Sequence, residues 1–267
     1  MDLALKDRVA VIGGSSAGIG FAIAELFASE GAAVTIIARR KEPLEAAAES
    51  LHAKTGARVL AVPADIRRAD DCARIIESAK AEFGRIDVLV NNDGAPPLGQ
   101  LDEFDDAAWD KAVQQNLMSV VRLTRLALPL MRANKFGRIV NITALSALQP
   151  IARFGLSVST WAAVIGYAKT LSLEVASDQI TVNTICPGRI ATGRLAKVFG
   201  AGGRENAAQT ADEDAEMLAR IKREIPMQRV GEPHEIAGLV ALLASPYGAY
   251  ITGATFHVDG GRRASLL

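Results

Sequence analysis

Eight residues near the start of the chain have the composition of a phosphate-binding turn. Residues 13–20 read Gly-Gly-Ser-Ser-Ala-Gly-Ile-Gly, and they join an apolar run at 8–13 to a stretch with helical spacing at 18–29. Small residues let the backbone turn tightly around a pyrophosphate, and the helix N-terminus offers free N–H groups to phosphate oxygens. In this strand-turn-helix context the segment predicts a dinucleotide site rather than a merely flexible turn.

The residues after the second apolar run bear on which dinucleotide is bound. The run at 32–38 is followed by Arg39 and Arg40. Sites for NAD normally place an acidic residue here to bond the ribose hydroxyls. This sequence has no acidic residue here that would repel a 2′-phosphate, and the planar guanidinium of either arginine could hold that phosphate. We therefore predict NADP(H) as the cofactor, with two solvated surface arginines as the alternative interpretation.

Apolar runs alternate with amphipathic stretches along the whole chain. Strands are predicted at 8–13, 32–38, 58–63, 86–91, 138–143, 180–186 and 255–258. Helices are predicted at 18–29, 43–54, 70–83, 106–133, 156–176, 212–224 and 233–244. This alternation is typical of an α/β protein with a doubly wound parallel sheet, the three-layer Rossmann fold. Since no linker interrupts the pattern, we predict a single domain over residues 1–267.

One segment departs from the alternation. Residues 191–227 are rich in glycine, alanine and charge, and they follow the sixth predicted strand. A substrate lid containing one helix would suit this composition, and a solvated surface excursion would suit it equally well.

The overall composition argues against several classes of partner. Lys plus Arg equals Asp plus Glu at 30 each, so no strong field attracts nucleic acid or anionic lipid. Cys72 and Cys186 lie far apart in no metal-binding or redox spacing, which favours a reducing compartment and no metal. No apolar run reaches the roughly 18 residues that a membrane-spanning helix needs. We expect a cytoplasmic protein.

Further motifs follow the glycine turn in the order found in one enzyme family. They are Asp65 after the third predicted strand, Asn91-Asn92-Asp93-Gly94, Asn116, Pro187-Gly188 with Ile190 and Thr192, and the closing segments at 229–233 and 258–261. Over nearly its whole length the chain resembles the short-chain dehydrogenase/reductase family, and its 3-oxoacyl-ACP reductases in particular. Gly13 stands where the family has threonine, and Asp93 where it has alanine.

The resemblance implies a set of cofactor contacts. The turn would hold the pyrophosphate, Asp65 and Ile66 the adenine, and the segment after the sixth strand the nicotinamide. The implied residues are Gly14, Ser16, Gly18, Ile19, Gly20, Arg39, Arg40, Asp65, Ile66, Asn92, Gly94, Pro187, Gly188, Ile190 and Thr192.

The same resemblance implies that the usual catalytic residues have been replaced. Family members use a serine after the fifth strand, a Tyr-x-x-x-Lys pair on the next helix and an asparagine on the preceding one. Tyrosine exchanges the proton, and lysine lowers the tyrosine pKa and grips the nicotinamide ribose. Aligning the helix places Ser157 at the tyrosine, Trp161 at the lysine and Ala144 at the serine. Asn116 alone is kept, and Tyr167 does not restore the pair because Leu171 follows it by four residues.

These replacements change the proton chemistry. A serine hydroxyl is far less acidic than a phenol, whose pKa is about 10, and an indole carries no charge. A water held by Ser157 and Asn116 could replace part of the lost general acid. Ser146, Ser159 and Asp93 are further candidates for a polar group in the cleft, although the helix should turn Ser159 away from it.

Three functions are compatible with these residues. The first is an NADP(H)-dependent carbonyl reductase or alcohol dehydrogenase with an atypical proton path. The second is a non-redox enzyme such as a dehydratase, isomerase or cyclase, and the third is a catalytically silent NADP(H)-binding subunit. The expected partner is a small carbonyl or alcohol compound, and the resemblance implies a homotetramer or dimer.

Overall fold

The computed structural model describes residues 2–193, 195 and 211–266, and these residues form a seven-stranded sheet. All neighbouring strands are parallel, in the order β3-β2-β1-β4-β5-β6-β7. The strands are β1 Val9–Ile12, β2 Ala33–Ala38, β3 Val59–Pro63, β4 Val88–Asn91, β5 Gly137–Ile142, β6 Ile180–Pro187 and β7 Thr255–Val258. This confirms the predicted doubly wound α/β fold. Every residue of β1, β4, β5 and β6 is buried, which explains why those runs are almost continuously apolar.

Helices cover both faces of the sheet. They are α1 Gly18–Ser29, α2 Lys41–Thr55, α3 Ala69–Phe83, α4 Asp106–Val113, α5 Ser119–Asn134, α6 Gly155–Val175, α7 Ala211–Arg223 and α8 Pro233–Ala244. Phe27 of α1, Leu51 of α2 and Val240 of α8 belong to one apolar core. Ile75 of α3 and Met131 of α5 belong to a second core with residues of α6. The sheet lies between the two cores as the middle of three layers.

The long helix predicted at 106–133 is interrupted in the structure. It consists of α4, a π-helical turn at Gln114–Met118, and α5. Such turns contain one more residue than an α-helical turn and often carry functional side chains. Here the turn carries Asn116, whose amide bonds to the neighbouring helix α6. Helical periodicity predicted both flanking helices, but it gave no sign of the inserted residue.

The excursion predicted at 191–227 lies partly outside the described residues, because residues 194 and 196–210 are among those not described. Its predicted helix at 212–224 corresponds to α7, one residue earlier at each end. Within the described ranges, no helix is both long and apolar enough to cross a bilayer.

Candidate cofactor and active site

A cleft lies where the strand order reverses between β1 and β4. In open parallel sheets, ligands bind at this switch point, beyond the carboxyl ends of the strands. The turn at 13–20 follows β1 there, and residues 92–94 follow β4. The cleft has a volume of about 470 Å³, and its walls include Gly14, Ser16, Arg39, Arg40, Asp65, Ile66, Arg67, Asp93 and Gln115.

The glycine turn is closely packed against its surroundings. Gly14 has a φ of +57°, and a Cβ atom on Gly20 would lie 2.4 Å from the carbonyl oxygen of Gly14. Ser15 ties the turn to β1 and β2, because its buried hydroxyl donates to the Ile12 carbonyl and accepts from the Ile37 N–H, both at 2.8 Å. Ser15 is therefore structural, and Ser16 is the serine that lines the cleft.

The N-terminus of α1 is suited to an anion. Ala17 precedes the helix and has no side-chain oxygen to accept from the first-turn N–H groups, and that turn contains no acidic residue. These N–H groups and the helix dipole favour a phosphate at this end. Together with the arginines of the cleft, they fit the pyrophosphate and 2′-phosphate of NADP(H).

Sequence reasoning missed Arg67, which shapes the far end of the cleft. Its Nε donates to both oxygens of Asp65 at 2.8 and 3.0 Å, and its Nη2 donates to Oδ2 at 2.5 Å. These bonds, together with the positive charges of Arg67 and Arg39, hold the pKa of Asp65 below its ordinary value. The predicted adenine-contacting carboxylate is therefore ionised and already bonded to an arginine two residues along the chain.

Asp93 carries the other carboxyl group of the cleft. Its side chain is accessible at the opening, but the protein around it hinders hydration of the carboxyl and raises its pKa. The Gly94 N–H bonds to this carboxyl, and the charges of Arg39 and Arg67 oppose the rise.

A second pocket of about 150 Å³ adjoins the cleft beyond Asp93. Four residues predicted to contact the nicotinamide line it, namely Pro187, Gly188, Ile190 and Thr192. The opposite side includes Ala144, Phe154 and Trp161 together with Ile142 and Thr143. Trp161 is only 8% exposed, so its indole is a wall of the pocket and not a surface group.

Asn116 faces a third, small cavity of about 20 Å³ that Trp161 also lines. Its Nδ2 donates to Thr160 Oγ1 at 2.8 Å, and the Thr160 hydroxyl donates to the Leu156 carbonyl at 2.7 Å. Sequence reasoning missed Thr160, and it paired Asn116 with Ser157 instead.

The serines proposed from sequence for proton transfer do not line these cavities. Ser157 is 0% exposed, and its hydroxyl finds no hydrogen-bond partner among the described residues. Ser146 is likewise buried, and within the described part of the chain its hydroxyl is also unpaired. Neither serine is among the residues that line the three cavities. Ser157 is one of the buried residues of α6. Ser159 is exposed on the other side of the helix.

Comparison with known proteins identifies the family. The family described as Enoyl-(Acyl carrier protein) reductase matches residues 14–263. The 3-oxoacyl-[acyl-carrier-protein] reductase FabG of Escherichia coli is 36% identical over 258 residues, covering 96% of this chain and 97% of that protein. Dehydrogenase/reductase SDR family member 4 of Caenorhabditis elegans is 34% identical over 265 residues, covering 98% and 97%. The chain belongs to the short-chain dehydrogenase/reductase family.

Solved structures of related reductases superpose closely on this short-chain dehydrogenase/reductase. The L-sorbose reductase of Gluconobacter frateurii, complexed with NADPH and L-sorbose, has a TM-score of 0.94 at 36% identity, with 100% of both chains covered. YwfH, an NADPH-dependent reductase involved in bacilysin biosynthesis, has a TM-score of 0.90 at 31% identity, covering 97% of this chain and 99% of that one.

Most of the predicted cofactor positions of this short-chain dehydrogenase/reductase line the three neighbouring cavities. The larger cleft is lined by Gly14, Ser16, Arg39, Arg40, Asp65 and Ile66, and the adjoining pocket by Ile19, Asn92, Pro187, Gly188, Ile190 and Thr192. Gly94 lines the small cavity, and Gly18 and Gly20 are not among the residues that line these three. Tyr167 lies elsewhere, since it packs against the core beneath α6 and is hydrogen-bonded to Thr124. Burial raises the pKa of its phenol.

Proposed function

We propose that this chain is an NADP(H)-dependent oxidoreductase that interconverts a carbonyl and an alcohol on a small molecule, by a proton path without tyrosine or lysine. The observation that carries the proposal is the pair of adjoining cavities that share Asp93. The larger one contains arginines where a 2′-phosphate would lie, and the smaller one is mainly apolar where a substrate would meet the nicotinamide. Relatives described as reductases, two of them with NADPH in their descriptions, support this conclusion over a non-redox function.

The cofactor would supply or accept the hydride, and that chemistry is its own. The residues of the chain would bind and orient it. Arg39 and Arg40, which line the larger cleft, would hold the 2′-phosphate, and the closely packed turn from Gly14 to Gly20 would hold the pyrophosphate. Phe154 and Trp161 would exclude bulk water from the reacting end.

The proposed loss of the family's catalytic side chains concerns Ala144, Ser157 and Trp161. Ala144 and Trp161 line the pocket and offer no acidic proton, while the Ser157 hydroxyl is fully buried. The proton would then come from a water admitted to the pocket, where Asn92, Thr143 and Thr192 supply the neutral polar side chains. Since a positioned general acid contributes typically about 10²–10⁴-fold, we expect slower turnover than a member with tyrosine and lysine would give.

The test is a binding and turnover experiment on the purified protein. NADPH binding is followed by fluorescence, and a panel of ketones and aldehydes is screened for NADPH oxidation. Turnover that is lost in Arg39→Ala supports the proposal. Tight binding without turnover across the panel contradicts it and favours a catalytically silent NADP(H)-binding subunit.

A restored variant sharpens this test. Ala144→Ser, Ser157→Tyr and Trp161→Lys together introduce the family's residues at the aligned positions. If activity appears only in this variant, the native chain is not a carbonyl reductase.

We also propose that the chain forms a homo-oligomer, a dimer or a tetramer, through α5 and α6. Leu173 on α6 is 72% exposed, and a subunit interface on this helix would cover it. Light scattering measures the mass directly, and a monomer at micromolar concentration would contradict the proposal. The two cysteines are buried free thiols, which fits a reducing, cytoplasmic location.

A further inference from the structure

Asp93 is the residue common to all three cavities described above. On one side of it lie Arg39 and Asp65, where the adenosine end of a dinucleotide belongs. On the other side lie Ala144 and Trp161, where the nicotinamide end belongs. Asp93 is therefore placed beside the middle of the cofactor, between its two halves.

The chemistry of that middle region limits what a carboxyl group can do there. A dinucleotide offers a pyrophosphate and a ribose on either side of it. The pyrophosphate is anionic and fits the N-terminus of α1. A carboxylate accepts hydrogen bonds and donates none, so its suitable partner is a pair of ribose hydroxyls.

We propose that the Asp93 carboxyl binds the ribose hydroxyls of the nicotinamide half of NADP(H). This rests on the proposed function, since it places a residue of this chain toward that cofactor. Trp161 cannot perform this task with its indole, which has one donor and no acceptor. The two replacements are thus complementary. Asp93 adds a hydrogen-bond acceptor for the ribose, and Trp161 stands where the family has the lysine that binds this ribose.

The surroundings of Asp93 support an oriented carboxyl group. The Gly94 N–H bonds to it, and the positive charges of Arg39 and Arg67 act on it together with the negative charge of Asp65. The two arginine charges offset the repulsion that an added carboxylate would exert on the phosphates. The Asp93 backbone also lies close to the glycine turn, because a Cβ on Gly14 would be 3.4 Å from its Cα, at ordinary contact distance.

The experiment compares two ligands that share the adenosine half. NADPH contains the nicotinamide ribose, and adenosine 2′,5′-bisphosphate does not. For Asp93→Ala we expect the Kd of NADPH to rise about ten-fold or more, because the variant lacks a charged hydrogen-bond acceptor. The Kd of adenosine 2′,5′-bisphosphate should stay unchanged, which also shows that the variant is folded. Asp102→Ala is the matched control, because Asp102 is an exposed aspartate that lines none of the three cavities.

A second variant tests the pairing with Trp161. Adding Trp161→Lys to Asp93→Ala should restore NADPH affinity, since an ammonium can donate to the same hydroxyls. Equal losses for both ligands, or NADPH binding to Asp93→Ala as tightly as to the native chain, would overturn the proposal. If the native chain binds neither ligand, the proposed function fails, and this inference fails with it.

Discussion

The substitution Gly20→Ala should damage both the fold and the cofactor site, because the added methyl group has no room. Its Cβ would lie 2.4 Å from the Gly14 oxygen and 2.7 Å from the Gly13 oxygen. The first distance is about 1 Å inside ordinary contact. Both obstacles are backbone atoms, so the turn and α1 must separate. Overpacking of this kind costs about 1–3 kcal/mol.

The same separation moves the N–H groups that would hold the pyrophosphate. We therefore expect Gly20→Ala to lower the free energy of unfolding by about 1–3 kcal/mol and to weaken NADPH binding by about ten-fold or more. Urea denaturation measures the first quantity, and fluorescence titration measures the second.

Gly238→Ala is the matched control, a glycine inside α8 with nothing within 4 Å of the added Cβ. Alanine is favoured over glycine in a helix by about 1 kcal/mol, so this variant should be slightly more stable and should bind NADPH normally. If Gly20→Ala behaves like Gly238→Ala in both assays, the close packing inferred for the turn is wrong.

Three further outcomes follow from the charges of the cleft. Arg39→Ala and Arg40→Ala should weaken NADPH binding and leave NADH binding nearly unchanged, because only NADPH carries the 2′-phosphate; parallel losses for both cofactors would contradict this assignment. The pKa of Asp65 is lowered from 3.8 by Arg67, so their pairing stabilises the fold fully above pH 3.8 and is lost as the pH falls through the lowered value. Acid titrations of stability should therefore show a smaller loss in Arg67→Ala than in the native chain, and identical curves would refute the pairing. The pKa of Asp93 is raised from 3.8. NADPH affinity should therefore fall as the pH drops through that raised value, because protonation removes the negative charge of the acceptor. Asp93→Asn should not show this dependence, and a native curve parallel to that of the variant would argue against the Asp93 assignment.

Periodicity and composition were sufficient to predict the layers of the fold. The strands in the middle of the sheet are buried on both faces, so their sequences are apolar without alternation, and the helices between them keep one apolar side. The glycine turn was equally readable, since its position after β1 and before α1 follows from local sequence. Contacts of this kind depend on neighbours along the chain.

The residues that sequence reasoning missed depend on contacts between distant segments. Thr160 bonds to Asn116 across 44 residues, and nothing local to either residue indicates the pairing. The burial of Ser157 likewise depends on how α6 lies against the sheet. Arg67 could have been found, because it stands two residues from Asp65 in the loop before α3.

The Asn92 side chain joins the loop after β4 to the turn after β1. The Asn92 amide donates to the Gly13 carbonyl at 3.0 Å, and a Cβ on Gly13 would come within 2.4 Å of the Asn92 carbonyl oxygen. The two loops on either side of the switch point are therefore held together without a ligand. A preorganised site loses little conformational entropy on association, so we expect the cofactor to bind with little rearrangement of these two loops.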